Sequence, residues 1–279
     1  MFQSLLFDNL LSVATPVLFG VCLVISSIGF RKTVYFISIG YGFSIAGMAI
    51  VSLATSAGKA SAAGWVIGAL LLVYGLRLGI YLSRRETKAA YRSAIDADVE
   101  RSRPIGFGIN MAIWVTVSFL YVSMFMPLEA RIFAESRGLH DGLAWLSWLG
   151  ATIMAAGILI ETIADRQKTM AKERTPSRFC DSGLYRVVRC PNYFGELLVW
   201  TGNLVAGIAL LGNWLQWILA IAGYVSIYLI MKGSARRLEI KQGERYGANP
   251  DFQTYVKSVP ILLPLLPIYS LRKAKLYLG

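Results

Sequence analysis

Residues 105–126 read IGFGINMAIWVTVSFLYVSMFM, without one charged side chain. At about 1.5 Å of rise per residue, a helix of that length crosses the roughly 30 Å hydrocarbon core of a bilayer. The run is not alone. Comparable apolar runs lie at about 10–30, 33–53, 62–82, 143–164, 194–211 and 213–231. The sequence therefore predicts an all-α integral membrane protein with seven transmembrane helices. Composition agrees, since the 279 residues are 56% hydrophobic and only 16% charged, outside the range of soluble domains. No stretch alternates as barrel strands do. The opening MFQSLLFDN has no basic n-region and no small-residue cleavage site, so no cleaved signal peptide is expected.

The formal net charge of +12 invites a nucleic-acid reading, but its distribution argues for a membrane. If the loops alternate between the two sides, one side holds Arg31, Lys32 and the cations of 84–103, 166–189 and 232–275. That side then carries 24 of the 28 Lys and Arg residues. The other side has only Lys59, Arg131 and Arg137, and Arg77 falls inside a span. This is the positive-inside pattern, which predicts the N-terminus outside and the C-terminus cytoplasmic. It explains the charge without nucleic acid. Cys22, Cys180 and Cys190 have neither metal-ligand spacing nor a disulfide framework, and the single histidine, His140, lies in an outside loop. No metal site is expected.

Residues 1–279 read as a single membrane domain without internal repeats. Gly64, Gly68, Gly75 and Gly79 recur at helical spacing and predict a face for close helix packing. The outside loops are short apart from 127–142. Long inside loops at 83–104 and 165–193, with the tail from Lys232, put the polar chemistry on the cytoplasmic face. The tail segment PILLPLLPIYS, 260–270, is too short to span and is expected to lie in the interface or to dip back into the protein.

Ionisable groups at membrane depth are costly unless paired, so they point to chemistry. Tyr74, Arg77 and Tyr81 share one helical face in LVYGLRLGIYL, although Arg77 at that depth is also able to snorkel to the headgroups. Glu161, Asp165, Lys168 and Lys172 share another face in GILIETIADRQKTMAK. In RVVRCPNYFGELLVW, 186–200, Pro191 suits a first helical position and Asn192 suits a cap or a ligand contact. Gly195 is read as keeping the backbone approachable, and Glu196 rides into the sixth span. Arg178, Arg186 and Arg189 supply guanidinium forks suited to phosphate beside a helix start. The residues alone thus suggest a cytoplasm-facing pocket for a phosphorylated or anionic cofactor, opening into an apolar cavity. GFGINM at 106–111 is not a dinucleotide fingerprint, and no P-loop or nucleophile elbow occurs.

At these residues the chain resembles the steroid 5α-reductase family in its bacterial branch. The resemblance rests on ETIADRQK at 161–168, SGLYRVVRCPNYFGELLVW at 182–200, GSARRLEIKQGERYG at 233–247 and FQTYVKSVPILLP at 252–264, with YGLRLGIYLSRR at 74–85 as a weaker element. It implies a seven-helix reductase of the bacterial inner membrane that uses NADPH to saturate a carbon–carbon double bond conjugated to a ketone, with 1–150 as lipid- and substrate-facing helices and 151–279 as the cofactor-binding part. The lipophilic substrate would enter from the bilayer. By resemblance, Asp165, Arg178, Asn192 and Glu196 hold the cofactor, and Arg77, Arg236 and Glu239 help enclose it. With the polar faces above, the candidate cofactor set also takes in Glu161, Lys168, Lys172, Tyr185, Arg186, Arg189 and Tyr193. Tyr74 resembles the tyrosine that hydrogen-bonds the substrate carbonyl, where a phenol would stabilise the negative charge that builds on oxygen.

Three departures stand out. The family pairs that tyrosine with a membrane-embedded glutamate, yet no Asp or Glu occurs between Asp8 and Glu86. Tyr41 is the candidate replacement and a second cavity residue. Cys190 stands where most relatives carry His. Ala235 and Glu239 replace the His and Tyr of the animal enzymes' tail motif. Two rival readings follow. Isoprenylcysteine and phospholipid methyltransferases share the tail architecture but bind S-adenosylmethionine. A non-catalytic lipid-binding relative would account for the missing glutamate.

Overall fold

The computed structural model describes residues 10–56, 58–87, 106–140 and 142–278. Residues 1–9 and most of the 83–104 inside loop lie outside the described residues. Every regular element among the described residues is helical. The helices are α1 Ala14–Ser26, α2 Ile39–Thr55, α3 Ala62–Glu86, α4 Phe107–Ser136, α5 Ala144–Arg174, α6 Pro191–Gly207, α7 Trp214–Tyr246 and α8 Pro250–Ser258. Six stretches are long and apolar enough to cross a membrane: Thr33–Thr55, Ala62–Glu86, Phe107–Ser136, Ala144–Arg174, Pro191–Leu210 and Trp214–Tyr246. The first apolar helix, Ala14–Phe30, ends in a 3₁₀ turn at Ser27–Phe30 and is shorter than these six.

Several helices outrun their apolar runs. The sequence ends the fifth and seventh spans at 164 and 231, whereas α5 continues to Arg174 and α7 to Tyr246. At about 1.5 Å per residue, the 33 residues of α7 reach well past a 30 Å core. The largest difference is in α4. The segment 127–142, expected as an outside loop, is helical to Ser136. Pro127 sits inside that helix, and a Cβ added at Gly207 would come within 2.5 Å of its ring. Only this bare glycine leaves room for the proline ring.

Two compact units can be distinguished, Met1–Ala151 with Val205–Gly223, and Thr152–Leu204 with Tyr224–Gly279. In the first, α2 and α3 pack through the glycine face read from the sequence. A Cβ at Gly75 would lie 2.6 Å from both the Ala46 nitrogen and the Gly42 carbonyl oxygen. Such backbone contact is the small-residue mode of helix packing in membranes. Ser61 caps α3 by accepting from the Gly64 N–H at 3.1 Å.

In the second unit, α5 and α6 cross where Gly157 and Gly195 face each other. A Cβ at Gly195 would stand 2.7 Å from the Gly157 carbonyl oxygen and 2.8 Å from the Glu161 nitrogen. The approachable backbone read at Gly195 is therefore covered by α5. Helix α8 begins as its sequence dictates. Asn249 accepts from the N–H groups of Asp251 and Phe252, and Pro250 fills the first turn. Beyond it the proline-rich tail does turn back onto the protein. The carbonyls of Pro260 and Ile261 accept from the N–H groups of Arg189 and Cys190, directly before α6.

Candidate functional site

The second unit builds a cavity of about 410 Å³, within the range of small-molecule sites. Its walls come from three places. Lys168 and Lys172 project from the end of α5. Tyr185, Arg189 and Asn192 come from the α5–α6 connection and the first turn of α6. Leu238, Lys241, Gln242, Glu244, Arg245 and Tyr246 come from α7 beyond its apolar part. Five cations thus face one carboxylate. Lys168, Lys172, Tyr185, Arg189 and Asn192 were each candidate cofactor residues, and the fold brings them to one cavity.

The cavity's frame is well tied. Lys172 Nζ donates to the Arg178 carbonyl at 2.5 Å, to the Pro176 carbonyl at 3.3 Å and to Tyr246 Oη at 2.7 Å. It also lies 5.1 Å from the Tyr246 ring centre. Gly183, with a left-handed φ of 61°, opens the 3₁₀ turn Gly183–Arg186, and the Leu184 N–H is held by Gln167 Oε1 at 2.9 Å. Buried Tyr185 points its hydroxyl at the Ala164 carbonyl, and its own carbonyl accepts from Tyr255 Oη at 2.8 Å.

Arg189 separates this cavity from a neighbouring one of about 570 Å³, lined by Glu239, Gln253, Lys257, Tyr269 and Arg272 among others. Arg189 is 3% exposed; it donates to the Tyr269 carbonyl and stands 3.7 Å from Glu239. Glu239 in turn accepts from the Leu271 N–H at 2.8 Å and faces Arg272 at 3.9 Å. Arg236 follows the same tail, donating to the Arg272 carbonyl at 3.3 Å and stacking over Tyr277. Arg236 and Glu239 thus both contact the chain's own tail, Glu239 joining it to Arg189.

The remaining candidates divide. Glu161, Asp165 and Glu196 are buried in the second unit, and Tyr193 is half-buried. Arg186 is exposed. Arg178 turns outward to Asp181 at 2.8 Å and Asp251 at 3.5 Å, and these carboxylates raise its already high pKa. Tyr41, Tyr74 and Arg77 belong to the first unit. There Tyr41 and Tyr74 are both buried, with their hydroxyls 2.9 Å apart. Tyr121 packs on Tyr41 with ring centres 5.1 Å apart and donates to the Phe36 carbonyl. Tyr41 thus stands against Tyr74. Arg77 is half-buried on the same helix.

Sequence reasoning missed a buried polar cluster on the extension of α4. Arg131, 1% exposed, pairs with Glu135 at 2.9 Å and also donates to Ser147 Oγ and the Ala206 carbonyl. Glu135 accepts from both the N–H and the hydroxyl of Ser61, at 2.9 and 2.6 Å. Glu129, a further turn and a half back, accepts from Ser52 at 3.4 Å. The available signal was three charges, Glu129, Arg131 and Glu135, directly after an apolar run, the last two at helical spacing.

The sequence profile of the family described as "Protein of unknown function (DUF1295)" matches residues 23–259. The chain belongs to the DUF1295 family. No curated protein and no solved structure matches it. The matched range of this DUF1295 protein spans both units and includes all the residues of the 410 Å³ cavity.

The cysteines of the DUF1295 chain differ in a way that is simple to read out. Cys190 is fully enclosed before α6, and burial pushes its thiol up to about 12. Cys180, half-exposed on the cavity wall, is also raised, again chiefly by burial. A raised pKa leaves less of the nucleophilic thiolate at neutral pH. At pH 8, maleimide is expected to label Cys180 in the folded protein and Cys190 only after unfolding, as followed by peptide mass spectrometry. Labelling of Cys190 at the rate of an exposed thiol would contradict the burial. The sign for stability follows. Below pH 9 the folded and unfolded thiols are both protonated; as pH rises from 9 toward 12, the unfolded thiol ionises first and the folded state loses ground.

Proposed function

We propose that this protein is an NADPH-dependent membrane reductase that saturates a carbon–carbon double bond conjugated to a ketone in a lipophilic, steroid-like substrate. The observation that carries the reading is the cavity walled by Lys168, Lys172, Arg189, Lys241 and Arg245 against the single Glu244. A pyrophosphate and a 2′-phosphate suit that surplus of donors and positive charge. The methyl-donor sulfonium of S-adenosylmethionine is itself a cation and gains nothing from such walls, so the charge balance favours reductase over methyltransferase. Asn192, half-buried on the wall, offers an amide for hydrogen bonding to the bound nucleotide.

When bound, NADPH would supply the hydride for the β-carbon of the enone. The chain's own part at the carbonyl falls to Tyr74. Its phenol would donate to the substrate oxygen as negative charge builds there, and in a dry site one such donor is worth roughly 3 kcal/mol. Tyr41, 2.9 Å away, is in position to share the proton that Tyr74 gives up.

The reading extends to topology, with Ala14–Phe30 as a seventh span, the N-terminus outside and the cavity in the cytoplasm of a bacterial cell. Exposed Trp65, Trp145, Trp148, Trp214 and Trp217 cluster at the first turns of α3, α5 and α7. The same three helices end in Arg84 and Arg85, Lys172 and Arg174, and Arg245. Aromatic residues at one interface and cations on the cytoplasmic side are what this orientation requires.

The deciding experiment is to purify the protein in mild detergent, denature it, identify the released nucleotide by mass spectrometry, and titrate the empty protein with NADPH and S-adenosylmethionine. NADPH is expected, with Lys168→Glu binding it about tenfold more weakly. Release of S-adenosylmethionine or its demethylated product, or NADPH affinity untouched by Lys168→Glu, would overturn the reading. Binding without turnover of any enone would favour the non-catalytic relative.

A further inference from the structure

A second site is marked out in the first unit, by observations independent of the nucleotide reading. A cavity of about 290 Å³ lies between the start of α1 and α4, walled mainly by Val13, Pro16, Phe19, Phe119, Val122 and Leu219. Its few polar wall atoms come from Ser12, Thr15 and Ser123. Glu129 lies on the α4 face that lines this cavity, because Phe119, Val122 and Glu129 recur at spacings of three and seven. The Ser12 hydroxyl of the cavity wall faces the Glu129 carboxyl.

That carboxyl is unusual in its company. Glu129 is 2% exposed inside a membrane-spanning helix. Its neighbours are the hydroxyls of Ser52 and Ser12, and one carboxyl oxygen has no hydrogen-bond partner among the described residues. No cation pairs with it there; Arg131, two residues on, is engaged by Glu135, Ser147 and the Ala206 carbonyl. The Thr15 hydroxyl on the cavity wall likewise has no partner among the described residues. A carboxylate buried in the protein calls for a countercharge and for donors. A metal ion would bring the charge but leave the apolar cavity unused. A long-chain alcohol would fill the cavity and supply one donor, but no charge.

We infer that this cavity binds a single-chain membrane amphiphile bearing a primary amine, with the tail against Phe19, Phe119, Val122 and Leu219 and the ammonium group on Glu129 and Ser12. An ammonium brings the charge together with three donors, which matches the unpartnered carboxyl oxygen and the neighbouring hydroxyls. At neutral pH such an amine is protonated. About ten methylene groups fill a volume of this size, so a dodecyl chain is a suitable probe.

The test uses the full-length protein in dodecyl maltoside, titrated with dodecylamine or dodecanol while thermal unfolding is followed by tryptophan fluorescence. Dodecylamine is expected to raise the midpoint saturably, dodecanol to have little effect, and Glu129→Gln to bind the amine about tenfold more weakly. Leu219→Trp, which fills the cavity from a half-exposed wall position, is expected to weaken binding as well. It supplies the comparison should Glu129→Gln fail to fold. Equal stabilisation by alcohol and amine, or a response in Leu219→Trp as large as in the wild type, would overturn the inference, the latter marking a general micelle effect.

Discussion

Arg131→Met is expected to destabilise the protein by about 3–5 kcal/mol, although Arg131 lines none of the three cavities described above. The substitution keeps the volume and removes the charge. Glu135 keeps its two hydrogen bonds from Ser61 but loses the guanidinium 2.9 Å away. Ser147 and the Ala206 carbonyl lose their shared donor at the same time. Breaking one half of a buried pair strands the other half, which costs more than the pair itself contributes. The accompanying Glu135→Gln should therefore recover part of the loss. Thermal unfolding in detergent reads both variants, and an Arg131→Met protein within about 1 kcal/mol of wild type would contradict the network.

Arg189→Met is expected to cost a similar amount and, under the proposed function, to abolish NADPH binding as well. Arg189 is buried between two cavities, paired with Glu239 and bonded to the tail at Tyr269. Its removal leaves Glu239 with the Leu271 N–H and with half-exposed Arg272, 3.9 Å away. Glu239→Gln keeps the acceptor for Leu271 and removes the charge, so the double variant should be less damaged than additivity predicts. The coupling expected from such a cycle is about 1–3 kcal/mol. Additive losses would show that the two side chains act separately. Limited proteolysis after residue 258 would report whether the tail has come loose in the single variant.

These two arginines show what the sequence could and could not convey. Apolar periodicity is local, so the starts of six of the seven expected spans were legible to within a few residues, and so was the glycine face of α3. The end of α4 was not. Pro127 followed by Glu129 and Arg131 resembles a membrane exit, because the partners that make burial tolerable lie far along the chain: Ser61 before α3, Ser147 in α5 and the carbonyl of Ala206. The candidate site was legible where cations recur on one helical face, as with Lys168 and Lys172. It was misread at Gly195, whose bare backbone meets Gly157 rather than standing open. It was also incomplete at the far wall. Lys241 and Arg245 lie on the stretch of α7 beyond its apolar part, and only the length of that helix brings them to the cavity.

The tail's return onto the start of α6 sets an order of events during synthesis. The N–H groups of Arg189 and Cys190 wait for the carbonyls of Pro260 and Ile261, and Arg189 waits further for Tyr269. All the spans can enter the bilayer one after another while the ribosome is still decoding. The wall around Arg189 cannot close until residues 260–269 have been translated and have left the exit tunnel. Nascent chains halted before Pro260 should therefore carry inserted helices and an unfinished pocket, exposed to the cell's quality-control proteases.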